Sequence, residues 1–287
     1  MDDLTYTLRE LAKRNRDGSH ATQVDRLRML MLASRQLREA GFRRMSAKSL
    51  KGRHVDVLLA RWRAERLSAG TRKNRLANLR WWAEKVGKAS LIPADNAQLA
   101  IPERCYVTNE SKARQLGDRL ERVGDPHVRM SLELQQAFGL RREESIKFQP
   151  RFADRGDRIV LKGSWTKGGR PRTIPITTDA QRVVLDRAHR LVGAGSLIPA
   201  HKSYIQQRDC YDGQCKAAGL SNMHGLRHHY AQARYEALTG WKAPAVGGPV
   251  AAALTPEQRE QDALARQTIS RELGHERPQI TAVYMGR

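Results

Sequence analysis

The chain has no run of eighteen apolar residues, and its first stretch, MDDLTYTLRELAKRNRDG, is polar and charged. A membrane helix needs about 20 mostly apolar residues, and a secretory leader needs a hydrophobic segment. Neither is expected, and a cytoplasmic protein with no membrane partner is predicted. Cysteine is scarce: Cys105, Cys210 and Cys215 are an odd, sparse set that makes no disulfide framework. No second Cys or His pair stands at ligand spacing near Cys210 and Cys215, so free thiols are expected rather than zinc. There is also no GxxxxGK[ST] phosphate loop and no obvious cluster of acidic metal ligands. Neither a metal nor any other cofactor is implied.

What is abundant is positive charge. Fifty-two Lys and Arg against 30 Asp and Glu give a net charge of +22, with 40% hydrophobic residues to build a core. Such a surface repels itself unless a large anion is near, and the commonest is nucleic acid. The excess is densest early in the chain. Residues 1–100 carry 22 basic and 10 acidic side chains, and residues 43–80 carry 12 basic ones against Asp56 and Glu65 alone. A merely solvated face usually mixes signs.

That first third reads as helical. Val24, Leu27, Leu30, Met31 and Leu37 recur at helical spacing before Gly41, and Leu50, Val55, Leu58, Leu59 and Trp62 repeat the pattern before Gly70. Thr71 is positioned to N-cap a further helix with an apolar stripe of Leu76, Leu79, Trp82 and Val86. Arg72, Lys73, Arg75 and Arg80 fall largely off that stripe and are candidate phosphate contacts. Residues 96–104 lie within an aperiodic, proline-bearing stretch and read as a linker between a domain at 1–95 and one at 105–287. In the second domain, helical patterns are expected at 111–124, 126–139, 179–193, 203–218, 222–238 and 256–274. Strand-like runs at 157–162 and 172–177, with Gly168 and Gly169 between them, predict a β-hairpin. The Gly/Pro/Ala-rich stretch 239–255 reads as a flexible loop.

Four separated pieces carry chemistry: GLRREE at 139–144, TKGGRPRTIP at 166–175, HGLRHHYA at 224–231 and LGHERPQITAVY at 273–284. Guanidinium groups present a planar donor fork that matches phosphate oxygens, histidine titrates near neutrality, and a tyrosine hydroxyl can act as a nucleophile once its proton is removed. In this order, with Tyr284 nine residues after His275, the pieces closely resemble the catalytic signature of the tyrosine recombinase (phage integrase) family. The resemblance covers the second domain; the first resembles the family's helical core-binding domain in general character.

The resemblance implies a mainly α fold with a small antiparallel sheet, arranged as a two-domain clamp around double-stranded DNA. It assigns Arg141 and Arg227 to the phosphate, Lys167 to the general acid, His224 and His275 to phosphate contact and proton movement, and Tyr284 to the nucleophile. Glu144 stands three residues after Arg141, on the same helical face, and is a candidate to orient it. Arg170 and Arg172, on the hairpin, are further candidate DNA contacts. His224 and His228 also stand at i,i+4, a metal-ligand spacing, but Gly225 follows His224 where a zinc protease has Glu, so no metal is expected. His229 reads as structural or DNA-facing.

The implied activity is site-specific recombination through a 3′-phosphotyrosyl intermediate, integrating or excising a bacterial mobile element or prophage at the nucleoid. Its implied partners are a tetramer of the chain on DNA and accessory DNA-bending proteins. The alternatives are a DNA-relaxing enzyme of the type IB topoisomerase kind and a catalytically silent DNA-binding protein on the same fold. Two departures stand out. Forty-eight positions separate Arg227 from His275, longer than the family's usual interval, which implies an insertion around 239–262. Three residues follow Tyr284, where many relatives carry a tail that docks on a neighbouring protomer. The insertion is expected either to contact DNA or a neighbouring subunit, taking over the role of that tail, or to be a passive surface feature.

Overall fold

The computed structural model describes residues 3–103, 105–275 and 278–287. The chain divides into two units, Met1–Cys105 and Tyr106–Arg287. Among the described residues, no helix is long and apolar enough to cross a membrane.

The first unit is built from α1 (Asp3–Arg14), α2 (His20–Glu39), α3 (Gly52–Ala64) and α4 (Ala69–Lys85). Ser19 caps α2 by accepting from Thr22 N, and Gly41, at φ +94°, follows its end. The start of α4 differs from the sequence reading: Ser68 is the cap and accepts from Thr71 N, which places Gly70 inside the helix instead of ending its predecessor. Leu30, Leu37, Leu58, Trp62, Leu76, Leu79 and Trp82 are fully buried in one cluster. The indole N–H groups, which cannot be buried unpaired without cost, find partners inside it. Trp62 Nε1 donates to Gln36 Oε1 at 2.9 Å and Trp82 Nε1 to the Ala47 carbonyl at 2.8 Å. The stretch read as a linker is packed on this unit as far as residue 101: Ile101 joins the core, and Arg80 donates to the Pro93 carbonyl (Nε, 3.0 Å) and Asn96 Oδ1 (Nη1, 3.1 Å). Arg104, at the end of that stretch, lies outside the described residues.

The second unit holds α5 (Pro126–Phe138), α6 (Arg142–Ile146), α7 (Pro150–Ala153), β1 (Arg158–Leu161), β2 (Arg172–Pro175), α8 (Asp179–Val192), α9 (Tyr204–Ala217), α10 (His224–Thr239), α11 (Pro256–Leu273) and α12 (Pro278–Met285). Asp125, Thr178, Ser203 and Thr255 cap α5, α8, α9 and α11, and Pro126 and Pro256 occupy first-turn positions that need no donor. β1 and β2 pair antiparallel, with Ile159 opposite Ile174 and Leu161 opposite Arg172; Ile159, Leu161 and Ile174 face the core. α10 is the unit's central helix, with Leu226, Arg227, Tyr230, Ala231 and Tyr235 buried along it.

Two expectations fail here. Residues 111–124 form no α-helix: the chain runs irregularly to a 3₁₀ segment at Gly117–Arg122. Its backbone is tied elsewhere, Arg114 N to the Gly225 carbonyl at 3.0 Å and Leu116 N to Gln136 Oε1 at 2.9 Å. Residues 239–255 are not a free loop. They make 3₁₀ turns at Pro244–Val246 and Ala251–Ala253, and Ala243, Pro244, Ala245 and Leu254 are buried.

Trp82→Ala empties the largest kind of buried volume in the first unit and strands the Ala47 carbonyl. It is expected to lower unfolding free energy by about 3–5 kcal/mol in urea titrations.

Candidate active site

The site grows from the break between α5 and α6. Gly139 ends α5 at φ +60°, and a Cβ there would stand 2.6 Å from Tyr230 Cδ1, so the position needs glycine for both backbone and space. The chain then turns through Leu140 to Arg141, which precedes α6. Glu144 reaches back to Arg141, accepting from its backbone N–H at 2.7 Å and from Nη1 at 2.9 Å. Arg142 points elsewhere, to Asp212 on α9 at 2.7 Å.

Glu144 is wholly buried. Burial raises the pKa of a carboxyl, but hydrogen bonds and charge from Arg172, the charge of Arg227 and the Arg141 N–H outweigh it and hold Glu144 at about 2. Arg172 grips it with two nitrogens at 2.5 Å each, and its Nε donates to the Glu272 carbonyl at 2.9 Å. The side chain of Arg172 is 6% exposed. Arg172, expected among the DNA contacts, is therefore the inner partner of Glu144, placed there by its register opposite Leu161.

Arg227 lies on α10 and is 1% exposed. Its Nη1 donates to the Gly139 carbonyl at 2.5 Å and its Nη2 to the Leu273 carbonyl, while Nε is buried with no partner among the described residues. Burial and the charge of Arg141 lower its pKa to about 10, so it stays cationic at neutral pH. Nη2 also meets His275 Nε2 at 3.3 Å. A guanidinium only donates, so His275 Nε2 is the lone pair and its proton sits on Nδ1, facing Thr281 Oγ1 at 3.0 Å. Burial and the charges of Arg227, Arg141 and Arg172 lower the His275 pKa to about 3. His275 is a neutral ring in this site, not the near-neutral titrating group expected from its type.

Tyr284, on α12, brings its hydroxyl to 3.0 Å from His224 Nε2. Its ring stacks on His275 (5.2 Å, 26°), lies 4.4 Å from the ring of His228, and sits beneath the Arg227 guanidinium at 5.8 Å. His224 opens α10 and keeps an exposed edge, and desolvation with the charges of Arg227 and Arg141 lowers its pKa. His228 is the residue sequence reasoning passed over as a site member. It is 5% exposed and lowered to about 4 by burial and its cationic neighbours, and it forms one wall of the tyrosine slot. Its signal was the i,i+4 step from His224, read in the sequence only as ligand spacing. Among the described residues no three His, Cys, Asp or Glu side chains come together as metal ligands would. Gly225 has a packing role: a Cβ there would strike Arg114 and stand 2.7 Å from the Lys112 carbonyl.

Five of the six expected catalytic residues thus converge: Arg141, His224, Arg227, His275 and Tyr284. Lys167 does not join them. It is exposed on the β1–β2 connection, next to Gly168 and Gly169 at φ +86° and +74°, and has no hydrogen-bond or ion-pair partner among the described residues. Arg170 is exposed on the same connection. His229 meets Gln115 at 3.4 Å. In the first unit Lys73 is half-buried, Arg72 points to the Ala100 carbonyl at 3.5 Å, Arg75 lies over Trp62 at 5.4 Å, and Arg80 is committed to Pro93 and Asn96.

His228 and His275 are neutral in the fold but charge in the unfolded chain, so stability is expected to fall as pH drops below about 6.5, levelling near 3–4. The depressed Glu144 contributes stability that is fully present above about 4.5, and its loss as pH falls through about 2 is a second, more acidic step. In denaturant titrations against pH, Glu144→Gln is expected to abolish the second loss while leaving the first. At pH 7 it should cost about 3–5 kcal/mol, because it leaves buried guanidinium charge without its carboxylate.

Comparison with known proteins bears on both units. The family described as phage integrase, N-terminal, matches residues 1–92, and the integrase family matches residues 102–233, ending before His275 and Tyr284. Among solved structures, lambda integrase bound as a dimer to a COC′ core site is 15% identical, with a TM-score of 0.63 over 99% of this chain and 96% of that one. The Tn1549 transposon integrase in complex with circular intermediate DNA is 13% identical, with a TM-score of 0.60 over 100% and 96%. XerH site-specific recombinase on palindromic difH substrate is 17% identical, with a TM-score of 0.58 over 99% and 81%. No curated protein matches. At these identities the structures speak for the fold; the two family matches, one on each unit and together spanning most of the sequence, speak for descent, and the chain belongs to the phage integrase family of tyrosine recombinases.

Proposed function

We propose that the protein is a site-specific DNA recombinase that cuts and rejoins a phosphodiester through Tyr284. The observation that carries this reading is the Tyr284 hydroxyl held 3.0 Å from His224 Nε2, on a ring packed against His275 and the Arg227 guanidinium. A phosphodiester bound here meets Arg141, which is partly exposed, and Arg227, which is buried, fixed cations that favour the extra charge of the transition state over the ground state.

The phenolic oxygen attacks phosphorus and its proton passes to His224 Nε2, which is neutral at physiological pH because its pKa is lowered. The bond from phosphorus to the 5′ oxygen breaks, with the electron pair leaving on that oxygen. Lys167, on the exposed β1–β2 connection, supplies the proton that makes it a free 5′-hydroxyl. The 3′-phosphotyrosyl bond conserves the energy of the original linkage, so a 5′-hydroxyl from a partner strand rejoins it without ATP. Arg72, Lys73, Arg75 and Arg170 add phosphate contacts, and affinity for duplex DNA falls steeply with salt. Exchange between two duplexes calls for four protomers, and lambda integrase is known as a tetramer bound to a Holliday junction, at 15% identity and a TM-score of 0.62 over 98% of this chain and 78% of that one. The setting is integration or excision of a mobile element or prophage at the bacterial nucleoid, with DNA-bending proteins as accessory partners.

Nicked duplexes carrying candidate attachment sequences are expected to yield a covalent protein–DNA adduct on denaturing gels in the presence of EDTA. Tyr284→Phe should reduce it at least about 10³-fold, since no other group replaces the nucleophile. An adduct that persists in the Phe variant contradicts the assignment of Tyr284, and one that requires a divalent cation contradicts the metal-free mechanism.

A further inference from the structure

The helix that carries Tyr284 is short, and its last carbonyls have no helical partner. In this chain three side chains from distant elements hold that end. Gln232 Nε2 donates to the Tyr284 carbonyl at 2.8 Å, and Ser111 Oγ in turn donates to Gln232 Oε1 at 3.0 Å. Arg266 Nη1 donates to the Gly286 carbonyl at 2.7 Å. Asn109 grips Arg287 from both sides, accepting from its N–H at 2.8 Å and donating to its carbonyl at 3.1 Å.

Arg266 does not hold this position alone. Its Nε contacts both oxygens of Asp262 at 2.8 Å, and Asp262 accepts from the Tyr235 hydroxyl at 2.5 Å. Tyr235 also receives Trp241 Nε1 at 3.2 Å and lies under the Arg266 guanidinium at 5.6 Å. Tyr235 is on α10, while Trp241 and Asp262 belong to the 239–262 stretch that lengthens the interval between Arg227 and His275. The same stretch closes on the helix end from the other side. Gly286 sits at φ +81°, and a Cβ there would stand 2.6 Å from Asn109 Oδ1 and 2.8 Å from Ala245 N.

We propose that Arg266, braced by Asp262 and Tyr235, is a positioning residue that, with Asn109, latches the nucleophile helix into the active site of its own chain, and that the lengthened 239–262 stretch is the frame of this latch. A guanidinium at a helix C-terminus meets both the orphan carbonyl and the negative end of the helix dipole. Because α12 carries both Tyr284 and Thr281, the partner of His275 Nδ1, release of its end would misplace the nucleophile and the histidine together. The rate effect rests on the strand-transfer reading; the holding of α12 does not.

Amide hydrogen exchange of residues 279–285 and adduct formation at saturating nicked duplex are measured on the full chain. The variants are Arg266→Ala, Arg266→Lys, and Asn109→Gly, which suits the φ of +53° at that exposed position. Arg266→Ala is expected to speed exchange of α12 at least about tenfold, with the exchange of α5 and α10 unchanged. It should slow adduct formation about 10–100-fold with little change in DNA affinity, and Arg266→Lys, which can serve only one of the two partners, should restore part of both. Asn109→Gly should move both readouts in the same direction with no loss of folding. Unchanged exchange of α12 in Arg266→Ala and Asn109→Gly overturns the latch, and so does faster exchange with an unchanged adduct rate. A wild-type protein that forms no adduct counts against the strand-transfer reading, and the latch is then decided by the exchange alone.

Discussion

Everything around the site depends on one buried carboxylate. Glu144 has no solvent exposure, yet it remains ionised because Arg172 and Arg141 donate to it directly and Arg227 adds its field. Removing a charge from water costs several kcal/mol, which this carboxylate offsets by organising the guanidinium groups around it. It sets Arg141 at the start of α6 and binds β2 to the α5–α6 corner through Arg172. The count is deliberately uneven: Arg141, Arg172 and Arg227 surround a single carboxylate. Under the proposed function, this surplus positive charge is what an incoming phosphodiester would balance.

Burial first, and nearby positive charge second, explain the state of the histidines. A ring taken out of water and set near cations is easier to keep neutral than to protonate, so His275, His228 and His224 are all lowered. The division of labour follows from direction. His275 turns Nε2 toward Arg227 and spends its proton on Thr281, whereas His224 meets the tyrosine hydroxyl. Thr281 and Tyr284, the partners of these two histidines, both ride on α12, so the arrangement depends on a short helix being seated.

The mainly helical fold with its small hairpin was legible in the sequence, as were most of the second unit's helices, because hydrophobic period and caps such as Asp125-Pro126 and Thr255-Pro256 agree there. The convergence of Arg141, His224, Arg227, His275 and Tyr284 was legible through their motifs. The misreadings share a cause. Leu116, Leu120 and Val123 mimic a helical stripe, but Gly117 and the long-range bonds of Arg114 and Leu116 draw that segment into an irregular path. Arg172 looks like another hairpin cation until pairing with β1 turns it onto a carboxylate 28 residues away. Asn109 meets Arg287 across 178 residues, a separation that no local pattern encodes. Local periodicity carries the elements; which cation serves structure and which serves DNA is decided by tertiary register.

The measurement that tests the central claim most directly is mass spectrometry of the peptide left on DNA after the covalent adduct is digested with protease and nuclease. The account predicts a nucleotide joined through its 3′ phosphate to Tyr284, with an unmodified 5′-hydroxyl on the other product. A nucleotide carried by a different side chain, or joined through a 5′ phosphate, would contradict it.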